Sequence, residues 1–162
     1  MLNRKVEHYL KLILVISLIS IISAYFIEYA LGHQPCNLCL IERIPYILSI
    51  ILIIINYKFQ KSEKFIILLL ILIFIFSLLI SIYHFGIEQG FFEESTVCAL
   101  KDTADIISKE ELLKMLSKNT ISCKDVTFRI FGLSLTSVNI IISLIIIIIL
   151  IKINITYEKI KS

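Results

Sequence analysis

Long runs of apolar side chains, broken by short polar stretches, set the organisation of this chain. Four runs stand out, at residues 12–31, 40–57, 65–87 and 130–151. Each meets or approaches the ~20 residues that a helix needs to cross ~30 Å of hydrocarbon. The third holds no Asp, Glu, Lys or Arg, and neither does the fourth. The first begins after Arg4, Lys5 and Lys11, as a signal peptide does, but its uncharged run is too long for an h-region and no small-x-small cleavage site follows. It is read as a spanning helix, with Glu28 as an interfacial carboxylate near its end. Pro45 falls either in the first turn of the second helix or slightly further in, where it would kink it. The fold class expected is an all-α membrane protein, a four-transmembrane-helix bundle forming a single integral membrane domain over residues 1–162.

The polar stretches give orientation. Nine of the 16 Lys and Arg lie in the N-terminal segment (Arg4, Lys5, Lys11), the loop after the second run (Lys58, Lys61, Lys64) and the tail (Lys152, Lys159, Lys161). The turn at residues 32–38 has none, and in residues 88–129 acidic side chains outnumber basic ones. The positive-inside rule puts both termini in the cytoplasm and residues 32–39 and 88–129 on the outer side. Within the long outer loop, Ser108 and Glu111 form an S-x-x-E capping box that starts a helix near Lys109. With Leu112, Leu113, Met115 and Leu116 it is a short amphipathic helix, lying on the membrane surface or capping the spans.

Composition agrees with the pattern. The chain is 58% hydrophobic over 162 residues, above the usual share for a soluble domain. A net charge of only +3 with no basic run excludes nucleic acid as an expected partner and leaves the lipid bilayer as the obvious one.

The chemistry is concentrated in Q-P-C-N-L-C-L-I-E-R-I-P-Y, residues 34–46. Cys36 and Cys39 have the spacing of redox dithiols, at the N-terminus of a membrane helix whose dipole favours thiolate over thiol. If the helix runs through Cys39, Arg43 lies one turn along the same face, and a thiolate at Cys39 or the oxygen of a reduced electron acceptor is its expected anionic partner. Cys98 and Cys123 fall in the outer loop, so all four cysteines share one face of the membrane. Taken alone, that second pair reads as a structural disulfide, worth about 3.5 kcal/mol on the chain-entropy estimate. Beside a reactive dithiol it reads as the other half of a disulfide relay. A different class of function, a non-enzymatic metal-binding membrane protein, would use His33, Cys36 and Cys39, with His84 approaching from the third helix.

These residues resemble the disulfide bond formation protein B (DsbB) family of quinone-linked inner-membrane thiol oxidases. The resemblance rests on P-C-N-L-C-L-I-E-R-I-P-Y, on Y-H-F-G-I-E-Q-G-F-F before Cys98, and on F-R-I-F-G-L-S-L-T before the last span. It implies a quinone-dependent thiol–disulfide oxidoreductase of the bacterial inner membrane that reoxidises a periplasmic DsbA-like dithiol protein. Residue by residue, it implies that Cys98 engages the partner and that Cys123 pairs with Cys98 and exchanges with Cys36. It implies too that Cys39 faces a ubiquinone or menaquinone and that Arg43 polarises a quinone oxygen, with His84 near the same site. The vitamin K epoxide reductase family also combines a CxxC with a spaced pair, but there the spaced pair comes first; here the CxxC does. The chain lacks tryptophan where relatives are expected to have it, around Phe91, Phe92 and the start of the fourth span, which leaves substrate preference open.

Overall fold

The computed structural model describes residues 4–58, 63–93, 123–124, 129–130 and 132–161. Its elements are α1 (Arg4–Tyr29), α2 (Asn37–Ile41), α3 (Ile44–Lys58), α4 (Glu63–Glu88), a two-stranded hairpin β1 (Arg129–Ile130) and β2 (Leu133–Ser134), and α5 (Leu135–Lys161). Four candidate spans result, Val6–Tyr29, Asn37–Lys58, Glu63–Glu88 and Leu135–Ile155, all long and apolar enough to cross a membrane. The expected amphipathic helix at residues 108–116 lies outside the described residues.

The fourth helix starts several residues later than hydropathy alone suggests. Gly132, at φ 84°, turns the chain between β1 and β2, where Arg129 pairs with Ser134 and Ile130 with Leu133. A positive φ is inexpensive only for glycine, so Ile130 and Leu133 are taken into a hairpin before the helix begins. The span then extends past Lys152.

The helices form a closed ring in which α1 packs on α3, α3 on α4, α4 on α5 and, more lightly, α5 on α1. In lipid, apolar side chains gain little by facing each other rather than the tails, so close approach through small residues and interhelical hydrogen bonds holds such bundles. Ser17 meets Ser49 at 2.9 Å between α1 and α3, and Ser77 meets Ser143 at 3.3 Å between α4 and α5. Asn139 of α5 donates to Ser81 of α4 at 2.7 Å and accepts from Tyr46 of α3. Ile22, Phe26, Phe65, Phe76 and Ile148 are exposed on the outside, as a lipid-facing surface requires.

The two ends of the ring differ. Near the termini and the α3–α4 turn, Val6, Leu10, Ile13, Ile53, Ile67, Leu70, Phe74, Ile146, Leu150 and Ile153 make one continuous aliphatic core. At the opposite end the core gives way to Cys36, Leu38, Ile87 and Cys123, packed together beside ionisable side chains. The chemistry is therefore confined to one end of the bundle.

Candidate functional site: a dithiol at the end of the bundle

The CxxC segment is a separate short helix. Cys36 is the N-cap of α2, and its Sγ accepts a hydrogen bond from the Cys39 backbone N–H at 3.3 Å. After Ile41 the chain tightens, with the Arg43 N–H bonding the Leu40 carbonyl, and helical bonding resumes when Ile47 donates to the Arg43 carbonyl. The cause is Pro45, which has no N–H to offer the carbonyl of Ile41 four residues back. Pro45 is thus in the first turn of α3, one of the two places foreseen.

The anionic partner of Arg43 differs from the one expected. The helix does not run on through residues 42 and 43, so Cys39 and Arg43 are not set on one face by helical periodicity. The anionic partner of Arg43 is Glu28 of α1, bonded through Nη1 at 2.5 Å, rather than the Cys39 thiolate. The guanidinium also lies 5.1 Å from the centre of the Tyr25 ring. Glu28, its side chain 20% exposed, is thus the counter-ion of Arg43 near the end of α1.

Cys36 and Cys39 are free thiols with their sulfurs 2.8 Å apart. Cys36 is buried, and its Sγ lies 3.5 Å from Nε2 of His84 on α4. The hydrogen bond from Cys39, followed by that from His84, outweighs burial and holds the Cys36 thiol well below its ordinary range. His84 itself is fixed from behind. Its Nδ1 donates to Glu42 Oε1 at 3.0 Å and lies 3.3 Å from the hydroxyl of Thr136, which donates to Glu88 Oε1 at 2.5 Å. Glu88 Oε1 in turn lies 3.9 Å from His84 Nε2.

Cys123 is disulfide-bonded, buried, and packed in the same cluster as Cys36. Cys98, its expected partner, lies outside the described residues. A cavity of about 280 Å³ opens between α1, α2–α3 and α5, and its wall includes Cys36, Cys39, Arg43, His84, Glu88 and Cys123. The rest of the wall is largely apolar, with Ile19, Ala24, Ile27, Leu135 and Val138 among its members.

The ligand atoms of Cys36, Cys39 and His84 all lie within 4.8 Å of one another, and His33 lines the same cavity. A tetrahedral zinc site holds its sulfurs about 2.3 Å from the metal and hence about 3.8 Å from each other. At 2.8 Å the two sulfurs are also near enough to close into a disulfide.

The chain matches the family model for the disulfide bond formation protein DsbB over residues 7–153. It belongs to that family. Membership makes it a multi-pass inner-membrane thiol–disulfide oxidoreductase. It is also 28% identical to an uncharacterised protein of Rickettsia prowazekii (strain Madrid E) over 138 residues, covering 83% of this chain and 80% of that protein. No solved structure matches.

Sequence reasoning singled out Cys36, Cys39, Cys123, Arg43, His33 and His84, and the fold brings all six to the cavity wall. It passed over Glu42, Glu88 and Thr136, which surround His84. A signal existed for the first two. A carboxylate inside an apolar span is costly and is seldom present without a partner, and Glu88 stands one helical turn beyond His84.

Proposed function

We propose that this protein oxidises a periplasmic DsbA-like dithiol protein and passes the electrons to a membrane quinone, ubiquinone or menaquinone. In this reading residues 1–162 are one integral membrane domain with both termini cytoplasmic and the site on the periplasmic side. Cys98 takes up the partner's thiolate, freeing Cys123, which exchanges with Cys36 of the oxidised CxxC. Cys39 then faces the quinone.

The observation that carries the reading is the packing of bonded Cys123 against Cys36, with Cys39 and Arg43 in the wall of one largely apolar cavity. An aromatic ring fits such a cavity, with apolar wall for its faces and Arg43 Nη groups for an oxygen. The quinone supplies a sink for two electrons and two protons. The protein's own residues position it and hold the two sulfurs where they can close. The lighter seam between α1 and α5 gives the ring a lateral way in from the bilayer. Metal binding at Cys36, Cys39 and His84 is the rival reading.

Single-turnover stoichiometry tests the relay. Cys36→Ser/Cys39→Ser protein should oxidise about one equivalent of reduced partner and stop, consuming no quinone, because exchange conserves the number of disulfides. Cys98→Ser/Cys123→Ser protein should oxidise the partner poorly yet still take electrons from a small dithiol. Sustained turnover without Cys36 and Cys39 would end the relay reading, and stoichiometric zinc or copper in anaerobically purified protein would favour the metal one.

A further inference from the structure

His84 has two carboxylates around it and one thiol in front of it, an arrangement that binding a quinone does not require. Nε2 faces Cys36 Sγ at 3.5 Å, while Nδ1 is held by Glu42 at 3.0 Å. A carboxylate on Nδ1 fixes the tautomer, so the ring presents its free Nε2 lone pair to the thiol. Cysteine, histidine and carboxylate in this order make a nucleophile, its base and the group that orients the base.

Glu88 adds a second carboxylate, near the Nε2 edge of the ring. Its Oε1 is 3.9 Å from Nε2 and accepts from Thr136, and its side chain is only 6% exposed. The other oxygen, Oε2, is buried with no hydrogen-bond partner among the described residues, although Glu88 lines the cavity. Glu88 is placed by this geometry to pass a proton on to whatever occupies the cavity.

We propose that His84, oriented by Glu42, takes the proton of the Cys36 thiol and hands it to Glu88, which releases it into the cavity. When the dithiol is oxidised, the Cys36 and Cys39 S–H bonds break and one S–S bond forms. Two electrons and two protons leave, both to the quinone, and the Cys36 proton travels from Sγ to Nε2 to Glu88. His84 and Glu88 are catalytic residues on this route, and Glu42 is a positioning residue. The proposal rests on the oxidase reading but concerns proton movement only. Among the described residues, the other charged or titratable groups on the same cavity wall are Cys39 and Arg43 from α2 and the turn after it, Tyr46 of α3, and His33 and Cys123 in the connecting segments, with Glu28 of α1 behind Arg43. Thr136 and Asn139 are the polar neighbours from α5.

Two measurements on the full-length reduced protein in detergent test it. The first follows the rate of Cys36 alkylation by iodoacetamide against pH, read by peptide mass spectrometry with no quinone present. The wild-type midpoint should lie well under the ordinary thiol value of about 8.5, and His84→Gln or Glu42→Gln should move it up by a unit or more. An unchanged midpoint in His84→Gln overturns the base. The second follows quinone reduction by Glu88→Gln and Glu88→Asp. Glu88→Gln should lower kcat about tenfold or more with quinone KM within about twofold, and Glu88→Asp should recover part of kcat. Wild-type kcat in Glu88→Gln overturns the proton route, as does an equal loss in the two variants. If wild-type protein reduced no quinone, the oxidase reading would fail, while the alkylation profile would still decide whether His84 is the base of Cys36.

Discussion

Arg43 shows how one side chain can serve structure and chemistry together. Its pairing with Glu28 ties α1 to the turn between α2 and α3, and both side chains are mostly buried, at 12% and 20% exposure. Removing one partner strands the other charge, so Arg43→Ala should destabilise the protein toward the lower side of about 3–5 kcal/mol. If Arg43 also bonds a quinone oxygen, the same change should weaken apparent quinone affinity about ten- to a hundredfold, the worth of about 1.5–3 kcal/mol for a charged hydrogen bond. The double variant Glu28→Gln/Arg43→Ala separates the two roles. It should recover stability by leaving no lone charge, yet use quinone as poorly as Arg43→Ala. Unfolding and quinone titrations on the three variants check this, and recovery of quinone use in the double variant would remove Arg43 from the quinone site. Arg43→Lys should restore only part of the affinity, since a point charge lacks the planar fork.

At the scale of elements, small polar residues set how closely the helices approach. Ser143 of α5 faces Ser77 of α4 with no room to spare, both fully buried. Ser143→Ala removes one interhelical hydrogen bond and should cost about 0.6 kcal/mol, the usual worth of such a bond within a bilayer. Ser143→Leu has to push α4 and α5 apart and should cost about 1–3 kcal/mol. Unfolding midpoints in detergent should rank wild type, Ala and Leu in that order. A Leu variant as stable as Ala would mean that this contact is not close-packed. Pro45 works at the same scale. It interrupts the hydrogen-bond ladder between the CxxC helix and α3, in a segment where Cys36 meets α4 and Arg43 meets α1.

For the whole molecule, the division of the bundle into an aliphatic end and a reactive end gives topology its consequences. If the termini are cytoplasmic, as the distribution of Lys and Arg argues, the dithiol end faces the periplasm, where disulfides persist. A membrane-impermeant thiol reagent applied to intact, reduced cells should then modify Cys98, with the buried Cys123 reacting more slowly. Labelling only after permeabilisation would reverse the orientation and remove the periplasmic partner. Burial also divides the tasks. Cys36 is shielded within the bundle beside Cys123, as the proposed relay requires if a bulky soluble protein is to reach it only through exchange.

Hydropathy by itself determined the four spans, because a backbone in lipid must satisfy its own hydrogen bonds and a long uncharged run has only the helix available. The local motif likewise determined the dithiol, since the two cysteines and Pro45 act within a few residues of one another. Helical periodicity could not supply the partner of Arg43, because that partner, Glu28, comes from another helix. The fourth helix began late because one glycine with positive φ admitted a hairpin that hydropathy does not register. Only the tertiary structure decided who meets whom. Arg43 finds Glu28 fifteen positions away, and His84 reaches Cys36 and Glu42 across more than forty. Those pairings follow from the rotation of each helix about its axis, which seams such as Ser17–Ser49 and Ser77–Ser143 fix and which no single span encodes.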